Sequence, residues 1–367
     1  MVDKNLTASG ALALVMLVTG FMPALPQVPP DQLLLKDYRP EPIHKIPVTV
    51  VPRAKFPAID VHAHVNAKSP EEILQWIKTM DEAGIEKTVV LTGATGARFD
   101  DLQTMYSKHA GRFELWCGID YTGFDQPGFG PAAAKELERC FRAGARGVGE
   151  ISDKGAGIVR NARRESWMHP DDPRMDPVWA RCAELGMPVN LHIADPVWAY
   201  QPMDHKNDGL MNALTWRLDD KPDIVKFDGM IEILERTLKR HPQTIFIACH
   251  YANLDFDLDR LGRLMDRYPN LYVDMSARFG ETASAPRATT RFLIKYAGRV
   301  MYGTDQGRNI DMYRSSFRIL ETLDEHFYVQ RLYNYHWNLS GFGLPDDTLR
   351  KLYRETALRV LQRPARR

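Results

Sequence analysis

Cysteine is scarce: the chain of 367 residues holds four, Cys117, Cys140, Cys182 and Cys249, with no CxxC or other paired spacing. That argues against a disulfide framework and a cysteine zinc site, and leaves these residues to act as small apolar side chains. An excess of charge of one sign is missing too. Lys+Arg number 48 against 47 Asp+Glu, a net +1, so no global field draws nucleic acid or an acidic membrane surface. No GxGxxG follows an early strand, and no low-complexity segment interrupts the chain. What is there is ordinary globular material, 44% hydrophobic and 26% charged, enough apolar side chain for a sizeable core.

One long apolar run exists, from Ala11 to Leu25, preceded by Lys4 and broken by Gly20 and Pro23. It has the layout of a secretory signal peptide, although Asp3 cancels a charge and no Ala-x-Ala cleavage site precedes the prolines. The expectation is export, periplasmic or secreted, with residues 1–27 as signal peptide or uncleaved anchor. No other stretch approaches the ~20 apolar residues that span a bilayer. Residues 28–56, rich in proline, read as an extended arm leading into a main domain at 57–363.

In that domain, runs rich in β-branched and aromatic residues alternate with segments of helical period. The expected strands are Ala58–Val65, Thr88–Thr92, Phe113–Asp120, Ala145–Ser152, Met187–Ile193, Thr244–Tyr251, Asn270–Ser276 and Arg299–Asp305. Ser69-Pro-Glu-Glu72 starts a helix in the manner of a capping box, Asp257-Leu-Asp-Arg-Leu261 continues another, and several end in glycine, as at Gly84 and Gly186. Eight strands with crossover helices in about 250 residues predict an α/β fold, a (β/α)8 barrel, whose strand ends converge on one mouth. A doubly wound sheet is the rival. Without a glycine-rich first turn it explains less well why reactive side chains close so many different strands.

Those side chains form a pattern. The first strand reads Ile59-Asp-Val-His62-Ala-His64, so His62 and His64 share a face and Ala63 points opposite. His192 closes the fifth strand, His250 the sixth and Asp305 the eighth. Desolvated imidazoles and a carboxylate at buried strand ends are costly singly and satisfy one another by sharing a cation. Nitrogen and oxygen donors suit Zn2+ first, then Mn2+, Fe2+ or Co2+. Cys249, next to His250, is expected to face away from it.

The motifs Asp60-Val-His62-Ala-His64, Pro188-Val-Asn-Leu-His192, the His250 strand end, Tyr272-Val-Asp274-Met-Ser276 and Tyr302-Gly-Thr-Asp305 resemble the amidohydrolase superfamily, and within it the branch of aminocarboxymuconate-semialdehyde decarboxylase. The resemblance implies that His62, His64, His192 and Asp305 ligate metal and that His250 contacts the substrate or metal-bound water. Strand four departs, with Glu150 in Arg146-Gly-Val-Gly-Glu150. Binuclear branches place a carboxylated lysine or a glutamate there, so Glu150 either ligates, bridging two ions, or hydrogen-bonds a ligand histidine.

A divalent ion with an open position acidifies water and polarises a carbonyl. With Asp305 as proton carrier and His250 stabilising the oxyanion, hydrolysis of an amide, lactone or ester of a small molecule is the first reading. Decarboxylation of an aromatic or conjugated acid, as in the branch resembled, is the second. Its anionic substrate would want an arginine, for which Arg278 is best placed, and Trp198 offers an apolar wall. A non-catalytic ligand-binding protein is the third, disfavoured because His62, His64 and Asp305 are all present. No nucleic-acid partner, and no membrane contact beyond an N-terminal anchor, is expected. The aromatic stretch Phe327–Trp337 reads as a homodimer interface or a packed lid, and His169 and His205, in long loops, are candidates for substrate contact.

Overall fold

The local start signals act as their spacing predicts. In the computed structural model, which describes residues 28–362, the Ser69 hydroxyl accepts from the Glu72 N–H at 3.3 Å and Glu72 accepts in return from the Lys68 N–H at 2.6 Å. The helix they open, α1 (Pro70–Ala83), ends where Gly84 turns left-handed at φ 79°. The Asp257 carboxylate accepts from the Arg260 N–H at 2.9 Å, so it begins a helix rather than continuing one. The apolar run Ala11–Leu25 lies outside the described residues.

Among the described residues, those up to Tyr38 make one unit and those from Arg39 another. In the first, two short turns, Pro30–Gln32 and Leu35–Asp37, have no buried residue. The second opens with an extended segment whose Thr49 N–H and hydroxyl donate to Asp324 at 2.8 and 2.6 Å.

All eight expected strands form: β1 (Ala58–Ala63), β2 (Ile85–Leu91), β3 (Phe113–Trp116), β4 (Val148–Asp153), β5 (Val189–Ile193), β6 (Phe246–Ala248), β7 (Leu271–Asp274) and β8 (Val300–Met301). Long helices follow each: α1, then α2 (Gly96–Ser107), α3 (Phe129–Arg142), α4 (Asp176–Leu185), α5 (Phe227–Arg240), α6 (Leu258–Arg267), α7 (Pro286–Tyr296) and α8 (Ile310–Glu321). The ladders run in order β1 to β3 and β4 to β8, every pair parallel. A parallel bridge between Cys117 and Val148 joins β3 to β4. The Val61 N–H to Tyr302 carbonyl bond, 3.0 Å, and the Asp305 N–H to His62 carbonyl bond, 2.8 Å, join β8 to β1. The ring is closed, and the (β/α)8 barrel expected from the sequence is the fold.

Alternation along the strands splits the core. Leu191, Ala248, Val273 and Tyr302 belong to the larger cluster with the helices, while Val89, Leu91, Ile247, Tyr272 and Met301 fill the barrel. Ala357 and Val360, from the last helix, Thr356–Leu361, join that inner cluster. The first strand breaks the alternation where it matters. Its register shifts between Asp60 and Ala63, an extra residue of the kind that makes a bulge. Asp60 accepts at 3.1 Å from Tyr313 of α8, whereas Val61 packs inside and His62 bonds Asp274 across the barrel.

Six strands, β1, β2, β3, β6, β7 and β8, end sooner than expected, and two of them bear on the site. β6 stops at Ala248 and β8 at Met301, because the chain beyond leaves the extended region: φ is 60° at His250 and 64° at Asp305. Both site residues therefore sit on left-handed corners just past their strands.

Candidate metal centre

The bulge in β1 and the corners after β6 and β8 aim side chains from five strands at one spot. His62 Nδ1 lies 3.1 Å from Asp274 Oδ2 and 3.1 Å from the Ser276 hydroxyl. Its Nε2, fully buried, has no hydrogen-bond partner and looks towards Asp305 at 3.7 Å and Glu150 at 4.0 Å. His64, half-exposed, places Nε2 3.0 Å from Asp305 and 3.4 Å from Glu150. On the other side, Glu150 Oε1 meets His192 Nδ1 at 2.5 Å, His250 Nε2 at 3.7 Å and Cys249 Sγ at 3.5 Å. His250 is fixed by its Nδ1, 2.8 Å from the Ser276 carbonyl.

The expected ligands His62, His64, Glu150, His192 and Asp305 are thus brought together, with His250 among them. Potential donor atoms of His62, His64 and Glu150, of His62, His250 and Asp305, and of Glu150, His192, Cys249 and His250 lie within 4.8 Å of one another in each group. Cys249 corrects the sequence reading. Strand alternation turns it inward beyond Ile247, and the left-handed corner then turns His250 inward as well, so both face Glu150.

The electrostatics favour a cation. Burial opposes ionisation of Glu150, yet the bond from His192 and the nearby imidazoles of His250 and His62 hold its carboxyl far below the carboxylate range. Burial likewise opposes Asp305, which His64, His62 and His250 hold well below its ordinary value. Burial disfavours a charged His62, but Asp274, Asp305 and Glu150 outweigh it and lift the imidazole to about 10. His64 is raised chiefly by its bond to Asp305. His250 is lowered by burial, with the charges of His192, Arg278 and His62 adding to it. Ionised carboxylates that draw protons onto their histidines, around an imidazole nitrogen with nothing to bond, fit a divalent metal ion.

The sequence reading missed the residues that position the histidines of this cluster. Asp274 and Ser276 stood in a quoted motif without a role, and Asp195, 3.2 Å from His192 Nε2 and 2.8 Å from Lys154 Nζ, was not singled out. The available signal was position: Asp274 follows Tyr272 on the inward face of β7. Arg278 is buried, and its guanidinium donates twice to Asn253 Oδ1 and once to the Ala277 carbonyl, with Glu281 at 3.4 Å and Asp255 at 3.7 Å. Trp198 packs beside Tyr335 and Trp337, ring centroids 6.0 and 6.1 Å away. The stretch Phe327–Trp337 folds against the barrel: Tyr335 bonds Glu281 at 2.7 Å and stacks on Trp337 at 4.1 Å. His169 bonds Asp153, the last residue of β4, at 2.6 Å, and His205 is exposed.

A family model described as amidohydrolase matches residues 59–363. No curated protein sequence matches the chain. Among solved structures, an uncharacterized TIM-barrel protein from Bordetella bronchiseptica is 17% identical, covering 83% of this chain and 98% of its own at a TM-score of 0.52. A 2,6-dihydroxybenzoate decarboxylase in complex with 2,6-dihydroxybenzoate is 18% identical, covering 84% and 99%, TM-score 0.51. A dihydroxybenzoic acid decarboxylase from a Polaromonas species, with bound manganese and 2-nitroresorcinol, is 16% identical, covering 84% and 97%, TM-score 0.52. At these identities the likeness speaks for the shared fold.

Proposed function

Because the chain belongs to the amidohydrolase family, whose model runs through nearly the whole barrel, we propose that it is a metal-dependent decarboxylase of an aromatic or conjugated carboxylic acid. The observation that carries this over hydrolysis, the first reading of the sequence, is that solved relatives of the same fold whose names state a reaction include decarboxylases of hydroxylated benzoates. Five expected ligands in one cluster, with an orphaned imidazole nitrogen among them, support the metal.

His62, His64, Glu150, His192 and Asp305 would hold the ion, with His250 and Cys249 at its edge. Nitrogen and oxygen donors suit Zn2+, and the manganese of the Polaromonas protein makes Mn2+ the competing choice. Glu150 turns one oxygen to the His62 and His64 side and the other to the His192 and His250 side, an arrangement suited to one ion or to bridging two. A bound divalent cation would anchor the substrate's oxygens and withdraw electron density from the carbon that loses its carboxylate.

The chain supplies the proton. Loss of CO2 from R–COO⁻ leaves the C–C electron pair on the ring carbon, which takes up one H+ to give R–H. Asp305, which keeps one carboxylate oxygen free when the other holds the ion, would carry the proton to that carbon. Burial of His250 favours its neutral form, and with Nδ1–H donated to the Ser276 carbonyl its Nε2 lone pair would accept a hydrogen bond from a substrate hydroxyl.

The test is incubation of metal-loaded protein with hydroxylated benzoates, and separately with lactones and amides, following CO2 and acid release together. CO2 with the decarboxylated arene as product supports the proposal. Acid release from a lactone or amide with no CO2 from any aromatic acid rejects it in favour of hydrolysis.

A further inference from the structure

Arg278 is one buried cation facing two buried carboxylates, and the balance is wrong. Asp255 and Glu281 have side chains each 4% exposed. Asp255 Oδ1 and Glu281 Oε2 have no hydrogen-bond partner, since Tyr335 and Arg278 address Glu281 through Oε1. One negative charge is left uncompensated in a desolvated place, which is strongly unfavourable unless a proton or a cation joins it.

Both carboxylates line a cleft of about 590 Å³ that runs between α6 and α7 and contains none of the metal-centre donors. Trp198, Trp337 and Phe292 also line it, giving aromatic surface of the kind that attracts organic cations. Its own cations, Arg263, Arg291 and Lys295, are exposed at the rim, and Lys295 is paired with Asp266 at 3.7 Å. Asp208, Asp257, Asp259 and Asp266 line it as well, so the cleft as a whole carries more acidic than basic side chains, a charge that favours an organic cation.

We propose that this cleft is a second binding site, separate from the metal centre, which takes the ammonium group of a small organic amine against Asp255 and Glu281. The ammonium would pair with these two carboxylates and restore charge balance around Arg278. The competing occupant is a proton, because burial raises the Glu281 carboxyl.

The experiment uses the whole chain saturated with metal, so that the histidine cluster is filled, and titrates benzylamine and benzyl alcohol by calorimetry. The expected result is saturable binding of the amine, at least about tenfold tighter than the alcohol, and a similar weakening in Glu281→Gln with metal content unchanged. Equal affinity for amine and alcohol, no binding of the amine, or full affinity in Glu281→Gln overturns the proposal. The amine–alcohol comparison is made on the unaltered protein, so it decides the matter even where the variant fails to fold. It reads nothing of decarboxylation and stands apart from that proposal.

Discussion

His62 and Asp274, both fully buried, face each other with Nδ1 3.1 Å from Oδ2. Burial opposes the Asp274 charge, but His62 holds the carboxyl below its ordinary value, so it stays an acceptor. An ionised Asp274 accepts the hydrogen bond from Nδ1–H, so the proton a cation would displace is the one on Nε2, whose lone pair is directed towards Glu150 and Asp305. A carboxylate behind a histidine fixes the ring and raises its basicity as a ligand. Asp195 stands in the same relation to His192 Nε2, on the far side of that ring from Glu150.

Asp274→Asn should therefore weaken metal binding roughly 10- to 100-fold while keeping the side chain's shape. Competition against a chromophoric chelator measures it. Unchanged affinity in a folded variant would show that Asp274 does not orient His62.

Metal should also report through stability. A ligand that binds only the folded chain adds RT ln(1 + [L]/Kd), about 2.7 kcal/mol at a hundredfold excess over Kd. Chelation is expected to lower the thermal midpoint and added Mn2+ or Zn2+ to restore it. His62→Ala should respond to neither. An equal midpoint with and without chelator would deny the cluster its ion.

The barrel was legible because strands and crossover helices alternate in period, and because Ser69, Gly84 and Gly186 carry their own boundary chemistry. The candidate ligands were legible as a group because histidines at buried strand ends are costly without partners. What escaped was set by single backbone angles. Alternation predicts Cys249 pointing away from His250, and only the left-handed corner at His250 puts both on Glu150. The bulge at Val61 and His62 is a matter of register with β2, which no one-dimensional period encodes. The fate of Arg278 depended on Asn253, Asp255 and Glu281 converging from two loops.

The junction of β3 and β4 makes a prediction about packing. A Cβ on Gly147 would lie 2.3 Å from the Trp116 indole, whereas one on Gly111 would meet nothing within 4 Å. Gly147→Ala should destabilise by about 1–3 kcal/mol, the usual result of overpacking a core, and Gly111→Ala should change little. Urea denaturation of the two variants decides it, and equal midpoints would mean that Trp116 moves aside freely.

His169 gives the chain a pH-dependent tie outside the metal centre. Asp153 accepts at Oδ1 from the Gly155 and Gly157 N–H groups, at 2.9 and 3.0 Å, and holds His169 Nδ1 at 2.6 Å with its other oxygen. Burial opposes charging of the imidazole, but Asp153 outweighs it and raises the pKa above 6.5. A histidine whose folded pKa is raised contributes stability that is full below 6.5 and disappears as pH climbs through the folded value. Denaturation midpoints should thus fall between about pH 6 and about pH 8.5, and fall less in His169→Gln, which cannot titrate. Metal-saturated protein is used for both, so that the histidines of the cluster contribute equally. A drop of the same size in the variant would assign the pH dependence to other groups and leave the His169–Asp153 contact an uncharged hydrogen bond.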